Sequence, residues 1–416
     1  MKKSNIKNSI AIVILTLCLG AFVGLILWLF LQVVSLGTTV IWKIVPNATE
    51  INWIVIPMCA IGGCVVGLLH KKYGNYPESL DKVMTKVKQD KHYDYKYMLP
   101  MLICAVIPLI FGSSVGPEAG LTGIIAALCY WIGDNLKIAK QNADVYSEIG
   151  EAVTLGQLFH MPLFGILIVE EQKVDEEKPN YPKGKKLALY ALSAIAGMVT
   201  IYGLNYLFNV SMEGFPKFSK VTVHIIDYAM MLVYIPVGII MYLIYEVGER
   251  VLDNISDRIP MILKETICGI CIGIMGCIIP MVLFSGEEEM AELMDEFGEY
   301  APWYLIGIAV IKLIMTAFSL SFGMRGGHFF PLIFACTCMA YGLTGVVFSS
   351  ISEHVVFAAG IITAATLGAQ LKKPLVVAIL LLLCFPARML FWVFAAAAIS
   401  GRVGEMIKNG YTKQRN

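Results

Sequence analysis

The sequence predicts an all-α protein that crosses a membrane several times, and three observations support this fold class. Hydrophobic residues make up 57% of the 416 residues and charged residues only 15%. Soluble domains are usually about half apolar and about a quarter charged. The second observation is a series of apolar runs along the chain, and the third is a pair of glycine-rich segments that interrupt them. Together they predict a polytopic integral membrane protein.

The apolar runs are candidate membrane helices, and several are shorter than the roughly 20 residues that a full crossing needs. Short runs indicate tilted or broken helices that end inside the membrane. The first run is too long for a removable signal peptide. In chain order the runs are 10–42, 51–69, 97–111, 121–132, 152–169, 187–208, 228–245, 267–284, 303–320, 332–348, 355–369 and 374–399.

Charged residues outside the runs predict the orientation. Because basic flanks stay in the cytoplasm, we expect both termini there, an even number of full crossings, and a multi-pass protein of the cell membrane. The net charge of +1, and the lack of a basic stripe with interleaved aromatic residues, argue against a nucleic-acid partner. The basic residues flanking the first and last runs are Lys2, Lys3, Lys7, Lys408, Lys413 and Arg415.

Two glycine-rich segments lie between apolar runs: 112–118, the first break, and 323–331, the second break. An unsatisfied backbone group in hydrocarbon costs several kcal/mol, so unwound chain is tolerated there only where it lines a cavity or binds something. A pair of such breaks is typical of a transporter built from repeats. The alternative is that these glycines only permit tight helix packing.

The two halves of the chain share further features. Pro162 follows Pro117 at nearly the spacing that separates Pro331 from Pro374. A lysine-rich segment precedes the first break and an acidic segment precedes the second, as basic-inside and acidic-outside loops of inverted repeats would do. We expect two inverted-topology repeats, residues 1–210 and 211–416, within one integral membrane domain. Coincidence among proline-containing loops is the alternative.

Other functional classes lack sequence support. The 11 cysteines all fall inside apolar runs, and Cys268 and Cys271 form a C-x-x-C pair with no second pair to complete a zinc site. We interpret them as small buried hydrophobic residues and expect no metal and no cofactor. The sequence shows no nucleophile with a base at workable spacing, so it does not indicate an enzyme.

The two breaks, together with the segment between them, resemble the CLC family of chloride channels and proton-coupled chloride antiporters over nearly the whole chain. The resemblance is to the prokaryotic form of the family, so we expect no regulatory tail domains. The family's G-x-F-x-P element matches 327–331 most specifically, its G-R-E-G-P element lines up with 113–117, and its N-x-P-L-x-G-I-L element with 160–167. Its G-S-G-I-P element is matched loosely by 73–78, and Lys312 falls where the family places a basic residue.

The resemblance implies transport of small inorganic anions, chloride above all. Helix N-termini carry about +0.5 elementary charge and N–H groups that no acceptor in the helix uses, so they bind an anion without a fixed cation. Such a site can also release the anion, as conduction requires. The resemblance places the central amide donors at His328 and Phe329. The full set of implied anion-binding residues is Gly74, Asn75, Ser114, Val115, Gly116, Gly327, His328 and Phe329.

The family's gating glutamate, aligned in this way, is replaced by Val115. Valine cannot titrate, so the alignment predicts a channel-like or uncoupled pathway. Glu118 lies about one helical turn further on and is the alternative gate. It could instead only satisfy the start of a helix. Arg325 could raise the anion potential at the mouth or pair with Glu118.

The inner end of the pathway also departs from the family. Without a gap, Glu171 and Gln172 take the positions of the family's acidic pair, so a glutamine would replace the inner proton acceptor. A shift of one residue restores Glu171 to that role. The alternative is a helix-end acidic pair on the cytoplasmic surface near Lys173. His160 replaces the family's asparagine and either makes the inner vestibule pH-sensitive or simply starts a helix.

Three hypotheses follow. The first is an anion channel or uncoupled anion transporter, and the second is a proton-coupled antiporter that uses Glu118 or Glu171. The third is a non-conducting relative whose path is plugged by Val115, His328 and Phe330. The resemblance also implies a homodimer with one pathway in each chain. The sequence does not decide between chloride, nitrate and fluoride.

Overall fold

A computed structural model describes residues 2–79, 82–83, 85–86, 90, 92–135, 143–159, 162–171, 183–210 and 215–415. About 82% of the protein is helical, and the described residues contain no β-sheet, only one isolated bridge. Nine helices in this part of the chain are long and apolar enough to cross a membrane. The predicted all-α, multi-pass membrane fold is therefore confirmed.

The α-helices are numbered here in chain order, with the short 3-10 segments omitted. A π-helical stretch, Val40–Ile44, separates the first two. The helices are α1 Lys2–Thr39, α2 Val45–Thr49, α3 Val55–Tyr73, α4 Met98–Ile110, α5 Glu118–Asn135, α6 Ala143–Leu158, α7 Pro162–Glu171, α8 Lys183–Phe208, α9 Ile225–Ser256, α10 Met261–Ile278, α11 Glu287–Glu296, α12 Pro302–Ser321, α13 Phe329–Val347, α14 Ile351–Leu371, α15 Pro374–Leu381 and α16 Leu390–Arg415.

The chain forms two compact units. Unit 1 comprises Met1–Thr39, Tyr73–Val106 and Pro117–Gly214, and unit 2 comprises Val40–Lys72, Ile107–Gly116 and Phe215–Asn416. The last division lies close to the predicted boundary between residues 210 and 211. However, two segments of the first half belong to unit 2, so the units are not the predicted repeats. The assignment of repeats stays a prediction.

Unit 1 contains a close crossing of α1 and α8. Gly20 and Gly24 on α1 face Ser193 and Gly197 on α8, and a Cβ at Gly24 would lie 2.6 Å from the Gly197 carbonyl oxygen. Small residues four apart let helix backbones approach in lipid, where dispersion contacts rather than water exclusion hold helices together. This spacing explains how two long apolar helices find one register.

Unit 2 contains a second crossing of the same kind, between α3 and α10. Gly63 and Gly67 on α3, and Gly269 and Gly273 on α10, have backbone of the other helix within 3 Å of where a Cβ would stand. For Gly269 the nearest atom is the Cys59 carbonyl oxygen, at 2.1 Å. Two G-x-x-x-G patterns thus fix this pair of helices.

The interior of unit 2 is formed mainly by α13 and α14. More than three quarters of the apolar stretch of each helix is buried within the protein. Because α13 starts at Phe329, within the second break, that break leads directly into one of these buried helices.

Candidate functional site

The two breaks pair with each other inside unit 2. The Gly116 N–H donates to the Gly327 carbonyl oxygen at 2.8 Å, and the Gly327 N–H donates to the Gly116 carbonyl oxygen at 2.7 Å. We call this pair the glycine bridge. It satisfies four backbone groups that no helix satisfies, as buried backbone requires. The glycine bridge therefore joins two segments that are far apart in the sequence.

Glycine is needed at this pairing for two reasons. Each break begins with a glycine in the left-handed region, Gly112 at φ 81° and Gly323 at φ 95°, just after a helix ends. Glycine adopts this conformation without steric cost. At Gly326, a Cβ would lie 2.5 Å from the Val115 Cγ2 atom and 2.8 Å from the Gly116 carbonyl oxygen. The two breaks pack too closely there for any side chain.

Ser114 and Val115 precede Gly116 and support the glycine bridge. The Ser114 and Thr316 hydroxyl oxygens are 2.9 Å apart, within hydrogen-bond distance. Val115 is fully buried, and its N–H donates to the Ser113 carbonyl oxygen at 2.8 Å. The N–H groups of Val115, Gly116 and Gly327 are thus used within the protein. An anion would have to displace these bonds, and the predicted anion-binding role of these residues stays a prediction.

A helix starts directly after each half of the glycine bridge. Glu118 begins α5 two residues after Gly116, and Phe329 begins α13 two residues after Gly327. His328 is the N-cap residue of α13. The first N–H groups of an α-helix have no acceptor in the helix itself, and they carry the positive end of the helix dipole. Each start therefore favours negative charge.

The two charged candidates at these starts differ in environment. The Glu118 side chain is buried, with 1% of the residue exposed, although it is the first residue of its helix. Arg325, in the second break, is half-buried. Its backbone N–H donates to the Gly323 carbonyl oxygen at 2.9 Å. A buried carboxylate at membrane depth is a functional candidate by default. The pairing of Arg325 with Glu118 stays a prediction.

Gly74 and Asn75 lie in an exposed loop of unit 1, after the end of α3. Gly74 is in the left-handed region at φ 104° and accepts a hydrogen bond from the Tyr76 N–H. Burial raises the pKa of the Tyr76 phenol, and the negative charge of Glu78 raises it further. Exposed backbone of this kind is well solvated. The anion-binding role of Gly74 and Asn75 stays a prediction.

The inner candidates fall at the edge of what the structure describes. Glu171 is the last residue of α7. Gln172 and His160 lie outside the described residues. Their predicted roles in proton transfer and pH sensing therefore stay predictions.

Sequence reasoning missed a buried pair of polar side chains, within hydrogen-bond distance of each other, beside the second break. In unit 2, the His70 Nδ1 atom lies 2.7 Å from the Glu265 Oε1 atom, and both side chains are 1% exposed. The Glu265 Cγ atom would be 2.6 Å from a Cβ at Gly323, so this carboxylate packs against the start of the break. Both residues flank apolar runs, 51–69 and 267–284, and this flanking position was the only available signal.

Lys312, the basic residue noted in the sequence, donates hydrogen bonds to the backbone. It is fully buried, and its Nζ atom donates to the carbonyl oxygens of Leu283 and Phe284, the latter at 2.8 Å. Phe284 is in the left-handed region at φ 53°. Lys312 therefore satisfies the carbonyl groups of the chain that follows α10.

Replacing Lys312 by methionine should destabilise unit 2, because the buried Leu283 carbonyl group and the partly buried Phe284 carbonyl group lose their donor. An unpaired buried acceptor costs about 1–3 kcal/mol. The measurement is thermal unfolding of the purified protein in detergent. Lys217→Met, the same change at an exposed lysine, is the control and should unfold like the native chain. Equal unfolding temperatures for the two variants would contradict this role of Lys312.

The fold defines a multi-pass membrane protein in which each of the two breaks leads directly into a helix. The sequence model of the family described as "Voltage gated chloride channel" matches residues 62–405. The chain therefore belongs to the CLC family of chloride channels and transporters. The resemblance seen in the sequence is confirmed.

Individual relatives are distant. The protein YfeO of Escherichia coli O17:K52:H18 is 24% identical over 334 residues, which cover 76% of this chain and 75% of that protein. The solved structure of a slow cyanobacterial Cl-/H+ antiporter is 16% identical, with a TM-score of 0.76 over 94% of this chain and 93% of that one. A CLC-type fluoride/proton antiporter is 17% identical, with a TM-score of 0.71 over 94% of each chain. At these identities the likeness shows the fold.

Proposed function

We propose that this protein exchanges small inorganic anions, chloride first, for protons, and that Glu118 rather than Val115 is the gate. The observation that carries the proposal is the position of Glu118, a buried carboxylate on the first residue of α5. This is the second of the sequence-based hypotheses, a proton-coupled antiporter, rather than the first, an anion channel or uncoupled transporter. It accounts for a buried acid at membrane depth, which is costly and rarely kept without a function.

The chemistry of a helix start explains how one carboxylate couples two ions. The ionised Glu118 side chain competes with an anion for the same N–H groups and the same dipole end. Protonation removes its charge, so the anion takes its place. Release of the proton on the other side restores the competition. Each turnover then exchanges protons for anions without a fixed cation that would hold the anion too tightly.

The environment of Val115 supports a structural role for that residue. Its side chain is fully buried and lies against Gly326, and its N–H is bonded to Ser113. A side chain that fills this contact keeps the two breaks in register. The alignment that placed the family's glutamate at Val115 therefore differs from our assignment by three residues.

The relatives agree with coupling but leave the anion open. Two proteins whose solved structures have a similar fold are a Cl-/H+ antiporter and a fluoride/proton antiporter. On the inner side we assign the proton acceptor to Glu171, at the end of α7. We also infer from the family resemblance a homodimer in the cell membrane, with both termini cytoplasmic and one pathway in each chain.

An uncoupled anion pathway is the second candidate function. The valine at position 115, where the G-R-E-G-P alignment places the family's glutamate, favours it. Under this candidate Glu118 only stabilises the start of α5, by roughly 0.3–1 kcal/mol. The two candidates predict different behaviour of the same variant.

The test is anion flux from proteoliposomes, with the external pH recorded at the same time. We expect chloride efflux through the native chain to drive protons in the opposite direction. Glu118→Gln should still move chloride, but its rate of proton movement should fall at least tenfold, because an amide does not titrate. Val115→Ala and the exposed-acid control Glu288→Gln should keep the native ratio of protons to chloride.

Two results would overturn the proposal. Chloride flux without protons in the native chain would establish the uncoupled candidate. Native proton coupling in Glu118→Gln would remove Glu118 as the gate and return attention to Glu171.

A further inference from the structure

We propose that unit 2 binds a divalent transition-metal ion, zinc by preference, through His224, Glu353 and His354. One ligand atom from each residue lies within 4.8 Å of the others. The His224 Nε2 atom is 3.3 Å from the Glu353 Oε2 atom, and the two imidazole rings are 5.0 Å apart between centroids. Two imidazoles and a carboxylate are a common zinc donor set that leaves one position open to water. This site does not depend on the proposed transport function.

A buried carboxylate orients the ligand His354. The His354 Nδ1 atom lies 2.7 Å from the Asp227 Oδ1 atom, and the Asp227 side chain is 0% exposed. This hydrogen bond holds the proton of the neutral imidazole on Nδ1 and leaves the Nε2 lone pair for a metal. Metal-bound histidines usually have such a carboxylate partner, which fixes the tautomer and the ring orientation.

The same carboxylate holds His224, and further contacts fix the rest of the cluster. Asp227 Oδ2 accepts a hydrogen bond from the His224 backbone N–H at 2.7 Å. The Phe348 ring stacks on the His354 ring with 3.9 Å between centroids. The Thr222 hydroxyl donates to the Glu353 carbonyl oxygen at 2.7 Å. The His354 ring and the backbone of the other two residues are therefore held in place before any ion binds.

The cluster is accessible to ions in water. The side chains of His224 and Glu353 are 46% and 52% exposed, whereas His354 is largely buried. An arrangement with one buried, oriented imidazole and two exposed ligands suits capture of an ion from solution. Imidazole ligands favour zinc and its neighbours over magnesium or calcium.

The bound ion would link the starts of two membrane helices. His224 is the N-cap of α9, and Glu353 and His354 lie in the first turn of α14. Only residues 257–260 join α9 to α10, so α9 starts on the side of the membrane where α10 ends, next to the acidic helix α11. The sequence predicts that side to be external. The site would therefore respond to metal outside the cell.

The test is metal titration of the full chain in detergent, with any histidine tag removed. We expect one Co²⁺ ion per chain, seen by its visible absorption, and displacement of Co²⁺ by Zn²⁺. His224→Ala and Glu353→Gln should each weaken zinc binding at least tenfold. His92→Ala removes an exposed histidine 3.8 Å from Asp134 and should bind zinc like the native chain.

Thermal unfolding supplies a second measurement. Zinc should raise the unfolding temperature of the native chain and of His92→Ala, because it binds the folded state, but not that of His224→Ala. Asp227→Asn should weaken zinc binding tenfold or more by loss of ligand orientation, in samples that remain monodisperse. No cobalt or zinc binding by the native chain, or equal zinc effects in all variants, would overturn the proposal.

Discussion

Gly326→Ala should reduce anion flux in proteoliposomes at least tenfold. The added methyl group would lie 2.5 Å from the Val115 Cγ2 atom, 2.7 Å from its Cβ atom and 2.8 Å from the Gly116 carbonyl oxygen. Real Cβ atoms do not approach so closely, so the two breaks must separate. Separation breaks the two hydrogen bonds of the glycine bridge and moves the starts of the helices that follow it.

The control is Gly307→Ala, in α12, where no atom lies within 4 Å of the new Cβ position. This variant should keep the native flux. Adding Val115→Ala to Gly326→Ala removes the nearest methyl group and should restore part of the flux. Native flux in Gly326→Ala, with the protein folded and inserted, would show that the glycine bridge does not position the anion pathway.

Gly269→Ala should destabilise the protein, although alanine favours helices over glycine by about 1 kcal/mol. The new Cβ would lie 2.1 Å from the Cys59 carbonyl oxygen, which belongs to the backbone of α3 and cannot rotate away. The two helices must move apart along the crossing. Overpacking of this kind usually costs about 1–3 kcal/mol, and thermal unfolding in detergent measures the loss.

The matched control is Gly203→Ala, on α8, which changes the same residue type in an exposed helix with no atom within 4 Å. Here the gain in helix propensity acts alone, so this variant should unfold at or above the native temperature. A fall in unfolding temperature for Gly203→Ala as large as for Gly269→Ala would show that the crossing of α3 and α10 is not specific.

Much of the fold is predictable from composition, but helix boundaries are not. The run 228–245 belongs to α9, which continues to Ser256. Its last turns carry polar and charged residues, so hydropathy does not detect them as part of the helix. The run 374–399 is divided into α15 and α16 near Pro386. The acidic segment before the second break contains α11, whose first turn carries glutamates that suit a helix start.

The candidate site is only partly predictable. Both breaks and the helix starts after them follow from glycine and proline in apolar surroundings. The pairing of Gly116 with Gly327 does not, because no local pattern sets the register of two distant segments. The same reason hides the pair His70 and Glu265, whose members come from different helices. Histidines and carboxylates scattered along a chain are assigned to a site only when the fold brings them together.

The central claim is that Glu118 couples chloride to protons, and the most direct measurement uses the native chain alone. Proteoliposomes are prepared with a chloride gradient and no pH gradient, with the membrane potential clamped. The account predicts that chloride running down its gradient drives protons in the opposite direction, against their own gradient as it develops. Complete equilibration of chloride with no proton movement would contradict it.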